Sequence, residues 1–312
     1  QAYLAGLWGE LPPKTSWVVV SPQRGDNAWD ASQRYSVARV PMGAWTYPRW
    51  RPAWQAAREI VRRERIEAII CGKALFEGRA ALRLHEEFHV PFIVCTYAME
   101  IPVWLGTAKT RRDLRAVLQD AARVLVINEQ TKQVLRTFGV PEGKLVKLYP
   151  GVAEEFFAVP PDAGVFRSRF GLDGKRVIVS VARLVPRKGL DVLIRAFAEV
   201  RRSVTNAHLL IAGDGPERDH LALLIREAHQ GDSVTLLGEV SPDDLRGILA
   251  VAEFFALTPK DLPNDPEGFG IVYLEAAAAG KTSIGSSAGG VPEAVLDGTT
   301  GLLVPPDDGA AT

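Results

Sequence analysis

The sequence predicts an α/β protein of two doubly wound, Rossmann-like domains, because apolar runs of strand length alternate with helical stretches along the whole chain. The chain has 312 residues and 47% of them are hydrophobic, which suffices for a sizeable core and favours two domains. The runs are rich in valine and isoleucine, so both faces of each strand are apolar. Such strands, each followed by a helix, indicate parallel sheets covered on both sides.

The predicted strands form two series. The first series is 17–21, 68–71, 92–96, 124–127 and 145–148. The second series is 177–181, 208–212, 234–237, 254–257, 282–285 and 301–304. The stretch 149–164 between them is broken by prolines and glycines and predicts an interdomain hinge. We therefore expect an N-terminal domain at 1–155 and a C-terminal domain at 156–312, with ligands bound in the cleft between them.

Charge and cysteine content exclude several classes of protein. The net charge is zero, so it indicates no nucleic-acid partner, although residues 1–155 hold 22 Lys+Arg against 16 Asp+Glu (net +6) and residues 156–312 hold 15 against 21 (net −6). Cys71 and Cys95 are too few for a disulfide framework and favour a reducing, cytoplasmic location. No apolar run is long enough to span a bilayer, and no signal peptide is recognisable.

Two glutamates bracket a glycine-containing loop and the start of a helix. The run 267–275 reads Glu-Gly-Phe-Gly-Ile-Val-Tyr-Leu-Glu, and alanines follow it. The glycines at 268 and 270 let the backbone approach a ligand closely. The helix start presents unpaired N–H groups and its positive dipole end. Two acceptor groups around an anion-binding helix start indicate a ligand with hydroxyls at both ends and phosphates between, such as a nucleotide-sugar.

A basic loop follows the predicted strand 177–181. Arg183 can bind two oxygens with its planar fork, and Lys188 supplies a compact point charge. We interpret the pair as a diphosphate-binding site that stabilises negative charge on a departing phosphate. After the strand 234–237, Gly238 and Val240 offer backbone groups against which a base can rest. The tight turn 213–216 is interpreted as structural, and the glycine-rich junction 286–293 fits phosphate or sugar contact.

Taken as a set, these motifs resemble the retaining GT-B glycosyltransferases of glycosyltransferase family 4. The resemblance covers nearly the whole second half. It rests on Arg183 and Lys188, Gly-Asp-Gly-Pro at 213–216, the two glutamates separated by seven residues, and Gly-Gly-Val-Pro-Glu at 289–293. The run 267–275 is closest in wording to the GDP-mannose-using α-mannosyltransferases, although UDP-sugar users share most of it.

The resemblance implies a role for each of these residues. Arg183 and Lys188 hold the donor diphosphate, Glu275 holds the ribose, and Glu267 faces the transferred sugar together with the backbone of 268–271. The implied catalytic residues are Arg183, Lys188 and Glu267. The implied donor-binding residues are Arg183, Lys188, Gly238, Val240, Glu267, Gly268, Phe269, Gly270, Ile271 and Glu275. No cofactor is implied, and the absence of an Asp-x-Asp pair favours a metal-independent reaction.

The resemblance also implies a two-domain GT-B fold with the active site in the cleft. The substrates are GDP-mannose or another nucleotide-sugar, and a lipid or glycan acceptor that binds the N-terminal, acceptor-side domain. Many family members carry a functional histidine after the strand 92–96; Met99 stands in that region here, which leaves Glu100 as the acceptor-side candidate. We expect that the first strand, the Gly-rich loop and the closing helices of the family lie outside this sequence.

Three alternatives remain open. A UDP-sugar transferase or a phosphorylase would use the same pocket. His85 and His89 match the two-histidine pattern of zinc hydrolases, but Val90 and Pro91 end that helix at once and no third ligand is evident. A non-catalytic sugar-nucleotide binder would account for the missing histidine.

A basic amphipathic helix in the first half is the remaining candidate surface. One face is apolar and includes Trp50 and Trp54, and a second face carries Arg51, Arg58, Arg62 and Arg65. Such a helix either lies on an anionic membrane or covers a core with solvated arginines. The first reading places the protein peripherally at the inner face of the membrane.

Overall fold

The computed structural model describes residues 18–22, 36–40, 50–97 and 106–312. The chain forms two compact units, residues 1–149 and 150–312. The division falls where the predicted hinge 149–164 begins. Each unit contains parallel strands and helices in alternation, as the sequence predicts.

The described strands of the first unit are all parallel. Strands β1 (Val18–Pro22) and β2 (Ser36–Val40) pair with each other. The four-stranded sheet has the order β3 (Ile69–Cys71), β4 (Phe92–Thr96), β5 (Arg123–Val126) and β6 (Leu145–Lys147). Strand β2 was not predicted, because Ser36 and Arg39 interrupt its apolar character. Such a strand lacks the continuous apolar run typical of a buried parallel strand.

Four described helices accompany these strands. They are α1 (Arg51–Arg63), α2 (Phe76–Phe88), α3 (Ala108–Asp120) and α4 (Glu129–Thr137). Thr107 caps α3 by accepting a hydrogen bond from the backbone N–H of Thr110, and Asn128 caps α4 in the same way. The core of this unit is centred on fully buried Phe92 and Leu114.

The second unit is a single six-stranded parallel sheet of order β12-β11-β10-β7-β8-β9. Its strands are β7 (Arg176–Val181), β8 (Ala207–Ala212), β9 (Val234–Gly238), β10 (Phe254–Leu257), β11 (Ser283–Ser286) and β12 (Gly301–Val304). Its helices are α5 (Ala163–Arg169), α6 (Leu190–Ser203), α7 (Arg218–Glu227), α8 (Pro242–Val251), α9 (Ile271–Ala278) and α10 (Val291–Ala294). All six residues of β8 are buried, as a central parallel strand requires.

The strand order of this sheet reverses beside β7. The chain runs outward from β7 through β8 to β9, and then returns to place β10 on the other side of β7. The loops that follow β7 and β10 therefore leave the same edge of the sheet in opposite directions. In open α/β sheets this switch point is where ligands bind, at the carboxyl ends of the strands.

Across the described ranges, no helix combines the length and the apolar character that a bilayer crossing requires.

Candidate functional site

Two loops at the switch point carry the predicted site residues. The loop after β7 contains Arg183 and Lys188, and the loop after β10 leads through Glu267 into α9. Lys188 Nζ donates a hydrogen bond of 2.7 Å to Glu267 Oε2. The fold thus brings together two predicted site residues that are 79 positions apart in the chain.

The Lys188–Glu267 contact is a buried ion pair. Lys188 is 9% exposed and Glu267 is 5% exposed. Burial of two charges is costly, and their mutual attraction offsets that cost only while both remain. The two side chains therefore hold each other in place in the free protein.

Arg187 is a second buried cation beside Glu267, and the sequence analysis gave it no role. Its Nη1 donates to both carboxylate oxygens of Asp265, at 3.0 and 3.2 Å. Its Nε lies 3.6 Å from Glu267 Oε2, beyond hydrogen-bond distance. Two cations, Arg187 and Lys188, thus face two carboxylates, Asp265 and Glu267, so these four side chains carry no net charge between them.

The backbone of Glu267 is fixed by the junction 286–293. The N–H of Gly290 donates to the Glu267 carbonyl oxygen at 3.0 Å. Gly289 has φ +55°, and a Cβ there would lie 2.2 Å from the same oxygen, so only glycine permits this approach. The junction was predicted to contact phosphate or sugar; the structure shows that it supports the loop that carries Glu267.

Arg183 differs from Lys188 in being exposed. The turn 213–216 lies against the backbone around it, because the Leu184 N–H donates to the Asp214 carbonyl at 2.9 Å and the Leu184 carbonyl accepts from Glu217 at 3.0 Å. The turn is therefore structural, as predicted, and it holds the first half of the basic loop. The structure places one cation of the loop at the surface and the other inside.

Glu275 lies one turn into α9 and is half-buried. Burial raises the pKa of its carboxyl above the usual range. Gly270 precedes the helix with φ +80°, and a Cβ there would lie 2.6 Å from the ring of Tyr273. The glycine is required by this internal contact, in addition to any ligand. Burial, followed by the charge of Glu267, raises the pKa of the Tyr273 phenol, whose hydroxyl donates to the Leu257 carbonyl.

The remaining donor-side candidates lie at the same edge of the sheet. Gly238 ends β9 and its carbonyl accepts from the Gly213 N–H at 2.7 Å, while Val240 is half-buried just beyond it. Phe269 is buried and Gly268 and Ile271 are half-buried in the loop before α9. The acceptor-side candidate Glu100, like Met99, lies outside the described residues.

The two-histidine pattern does not assemble a metal site in the described part of the chain. Helix α2 ends at Phe88, and His89 takes a left-handed conformation with φ +58°. The His85 ring is engaged with the Val90 carbonyl through Nδ1 at 3.0 Å. No group of three or more His, Cys, Asp or Glu side chains is arranged to hold a metal ion within the described ranges.

The arginine stripe of α1 is partly paired with carboxylates. Arg58 makes a forked contact with Glu87, in which its Nε lies 2.8 Å from both carboxylate oxygens. Arg62 lies 3.4 Å from Glu59 and 3.6 Å from Glu87. Arg51 and Arg65 are exposed. The stripe therefore presents less positive charge than its sequence predicts.

Comparison with known proteins identifies the family. The model for Glycosyltransferase Family 4 matches residues 16–156, and the model for Glycosyl transferases group 1 matches residues 165–312. The chain is 32% identical over 312 residues to the GDP-mannose-dependent alpha-(1-6)-phosphatidylinositol monomannoside mannosyltransferase of Mycolicibacterium smegmatis, which covers 97% of this chain and 81% of that protein. The chain belongs to glycosyltransferase family 4.

A second relative is similar over nearly the whole chain, and two solved structures share its fold. The monoacylated alpha-(1-6)-phosphatidylinositol monomannoside mannosyltransferase of Corynebacterium glutamicum, also GDP-mannose-dependent, is 31% identical over 99% of this chain and 81% of its own length. Anabaena HepE in complex with UDP and glucose aligns with a TM-score of 0.73 at 20% identity, over 88% of this chain and 74% of that one. A glycosyltransferase from Rickettsia africae aligns with a TM-score of 0.77 at 16% identity, over 95% and 77%.

These findings confirm the predicted family and the GT-B fold class of two Rossmann-like domains. The chain is a family 4 glycosyltransferase, and its switch-point loops carry the residues on which the resemblance rests. Arg187 and Asp265 were missed by sequence reasoning. The only signal for them was their position beside Lys188 and Glu267.

Proposed function

We propose that this family 4 glycosyltransferase transfers mannose from GDP-mannose to a lipid-linked acceptor, with retention at the anomeric carbon. The observation that carries the proposal is the 32% identity, over 97% of the chain, to an enzyme named as a GDP-mannose-dependent phosphatidylinositol monomannoside mannosyltransferase. The contact between Lys188 and Glu267 at the switch point gives that assignment a site of suitable chemistry.

The donor diphosphate binds the basic loop after β7. Exposed Arg183 meets it first, and Lys188 contacts it from within the site. Glu275 accepts hydrogen bonds from the ribose hydroxyls. Glu267 and the backbone of 268–271 face the mannose. Two cations supply the charge that a metal ion would otherwise provide, so the reaction needs no metal.

The reaction is a substitution on one face of the sugar. The acceptor hydroxyl oxygen forms a bond to the anomeric carbon as the bond from that carbon to the donor phosphate oxygen breaks. The departing phosphate oxygen takes the acceptor proton, and GDP leaves with the electron pair. Arg183 and Lys188 stabilise the charge that builds on the diphosphate in the transition state.

Because the proposed acceptor is linked to a lipid, the enzyme must contact the membrane that holds it. We propose that the first unit approaches an anionic bilayer, because residues 1–155 carry a net charge of +6. Arg51 and Arg65 are exposed on or beside α1 and are the stripe arginines best placed for lipid phosphates. Arg58 and Arg62 contribute less, since carboxylates already lie beside them.

Transfer of labelled mannose tests the proposal. The protein is incubated with GDP-mannose and vesicles that contain a phosphatidylinositol mannoside, and the lipid product is identified by mass and by anomeric configuration. Parallel reactions contain GDP-glucose, UDP-glucose and UDP-N-acetylglucosamine. We expect a single added hexose from GDP-mannose with an α linkage. Transfer from UDP-sugars alone would establish the UDP-dependent alternative, and nucleotide-sugar binding without transfer to any acceptor would favour a non-catalytic binder.

A further inference from the structure

Glu267 has two buried cations within reach of the same carboxylate oxygen. Lys188 Nζ is at 2.7 Å from Oε2 and forms the hydrogen bond, whereas Arg187 Nε is at 3.6 Å from Oε2 and does not. That Nε is fully buried and has no hydrogen-bond partner among the residues that the structure describes. A buried donor left unsatisfied is unfavourable, so this N–H gains free energy from any acceptor that comes within hydrogen-bond distance.

Arg187 is held firmly enough to act as the second partner. Its Nη1 is bound by both oxygens of Asp265, and its carbonyl accepts from the Lys260 N–H at 2.8 Å. With the guanidinium anchored at one end, a movement of about 0.7 Å by the Glu267 carboxylate would bring Nε to normal hydrogen-bond distance.

Donor binding requires such a second partner. In the free protein the charge of Lys188 is matched by Glu267. When Lys188 turns towards a diphosphate, Glu267 would remain as a carboxylate that is only 5% exposed. An uncompensated buried charge is strongly unfavourable, and a carboxylate in that position takes up a proton instead.

We propose that Arg187 is a positioning residue that takes over the Glu267 carboxylate when Lys188 turns to the donor diphosphate. The inference rests on the proposed role of Lys188 in donor binding. The charged and titratable groups around Glu267 are Lys188 and Arg187 from the loop after β7, Asp265 from its own loop, and Tyr273 from α9. The Tyr273 hydroxyl already donates to a backbone carbonyl, and Asp265 is an anion. Asp265 binds only Nη1 of Arg187, so the Nε of Arg187 is the donor available to Glu267. Glu267 then keeps its charge and its place facing the sugar.

Proton uptake on GDP binding tests this exchange. Titration calorimetry near pH 7 in buffers of different ionisation enthalpy gives the number of protons bound per GDP. In Arg187→Met, Glu267 has no second partner, so we expect up to one proton more per GDP than in the wild type. The double variant Arg187→Met/Glu267→Gln should lose that excess. Arg176→Met is the matched control, because Arg176 also forms a forked contact with a carboxylate, Glu253, in the same unit.

The outcomes separate the two proposals. Failure of GDP to bind the wild type would overturn the proposed function. GDP binding by both proteins with equal proton counts would overturn the role of Arg187 alone, because a merely structural arginine would not change proton uptake.

A second variant covers the case in which Arg187→Met does not fold. Asp265→Asn keeps both cations but loosens the anchor, so Arg187 can pair with Glu267 before the donor arrives and Lys188 is released. We expect severalfold tighter GDP binding than in Asp261→Asn, which removes the same charge from an exposed position of the same loop. Equal or weaker GDP binding by Asp265→Asn would contradict the exchange.

Discussion

At the scale of single residues, the two cations of the basic loop differ in environment although the sequence predicts one shared role. Arg183 is exposed, whereas Lys188 is buried against Glu267. A truncation at the first position removes only a ligand contact. A truncation at the second also leaves a buried carboxylate without its hydrogen-bonded partner. Truncation of either residue should therefore weaken ligand binding, but only truncation of Lys188 should lower the free energy of unfolding.

We predict that Arg183→Ala and Lys188→Ala each weaken GDP binding by about 1.5–3 kcal/mol, as expected for loss of one charge-assisted contact. Lys188→Ala should also lower the free energy of unfolding by about 1.5–3 kcal/mol, the value of one lost charge-assisted hydrogen bond, because Arg187 remains beside Glu267. Arg183→Ala should change it by less than about 0.5 kcal/mol. Calorimetry and urea unfolding measure the two quantities. Equal losses of stability in both variants would show that the burial difference has no energetic consequence.

A second residue-scale prediction concerns Glu275, because burial raises the pKa of its carboxyl. The carboxylate accepts charge-assisted hydrogen bonds from the ribose hydroxyls, whereas the protonated carboxyl is a weaker acceptor. GDP affinity should therefore be full above this raised pKa and should fall as pH decreases through it. In Glu275→Gln the affinity should be weaker and should depend less on pH. The phosphate of GDP also titrates, but it does so equally for both proteins. Identical pH profiles would remove Glu275 from the ribose site.

At the scale of elements, the sheet order explains what the sequence could and could not predict. Mainly apolar runs located β7 and β10 within one residue, because a strand buried on both faces is apolar along most of its length. Their adjacency in the sheet is not written in any local pattern. The family resemblance implied that Lys188 and Glu267 bind the same donor, but their direct contact, and the part played by Arg187 and Asp265, required the structure. Strand β2 was missed because polar residues interrupt it.

The sheet of the second unit also contains a titratable strand residue, His208 on β8. Its Nδ1 lies 3.3 Å from Lys175 Nζ, which can only donate, so the ring proton is on Nε2 and is donated to Thr235 Oγ1 at 2.9 Å. Burial, followed by the charges of Lys175 and Arg201, lowers the pKa of His208 to about 4. The folded state therefore keeps this ring neutral at pH values where the unfolded chain protonates it.

We predict that His208 makes the protein less stable as pH falls from about 6.5 to about 4. The unfolded chain binds the extra proton in this window, so the contribution of the neutral ring is present above it and is lost below it. The expected loss is about 1–3 kcal/mol. His208→Gln retains a donor and an acceptor without titrating, so its unfolding free energy should vary less across the window. Parallel curves for the two proteins would refute the assignment.

For the whole molecule, the two cations of the basic loop predict that the reaction does not depend on a metal ion. Arg183 and Lys188 are proposed to neutralise the diphosphate without a metal ion. We predict that transfer from GDP-mannose continues in the presence of EDTA. Loss of activity with recovery on addition of Mg²⁺ or Mn²⁺ would contradict the proposed donor site. Recovery with Zn²⁺ alone would support a zinc site at His85 and His89.

The division of charge between the two halves leads to the last prediction. Residues 1–155 carry a net charge of +6 and residues 156–312 a net charge of −6, so an anionic surface attracts the N-terminal half of the sequence and repels the C-terminal half. Each basic residue near an anionic bilayer contributes roughly 1 kcal/mol, and salt reduces this attraction as the Debye length shortens. Binding to phosphatidylglycerol vesicles should therefore be strong at low salt and should fall steeply as salt rises.

The double variant Arg51→Glu/Arg65→Glu tests which surface is responsible. Because both arginines are exposed, the substitutions should preserve the fold while they weaken co-sedimentation with anionic vesicles. The double variant Arg202→Glu/Arg226→Glu is the matched control, since it reverses the same number of charges at two exposed helical arginines of the second unit. Its binding should remain close to that of the wild type. Equal recovery of the wild type with neutral and anionic vesicles would instead mean that α1 is a solvated face with locally balanced charge, in line with the contacts of Arg58 and Arg62 to Glu87.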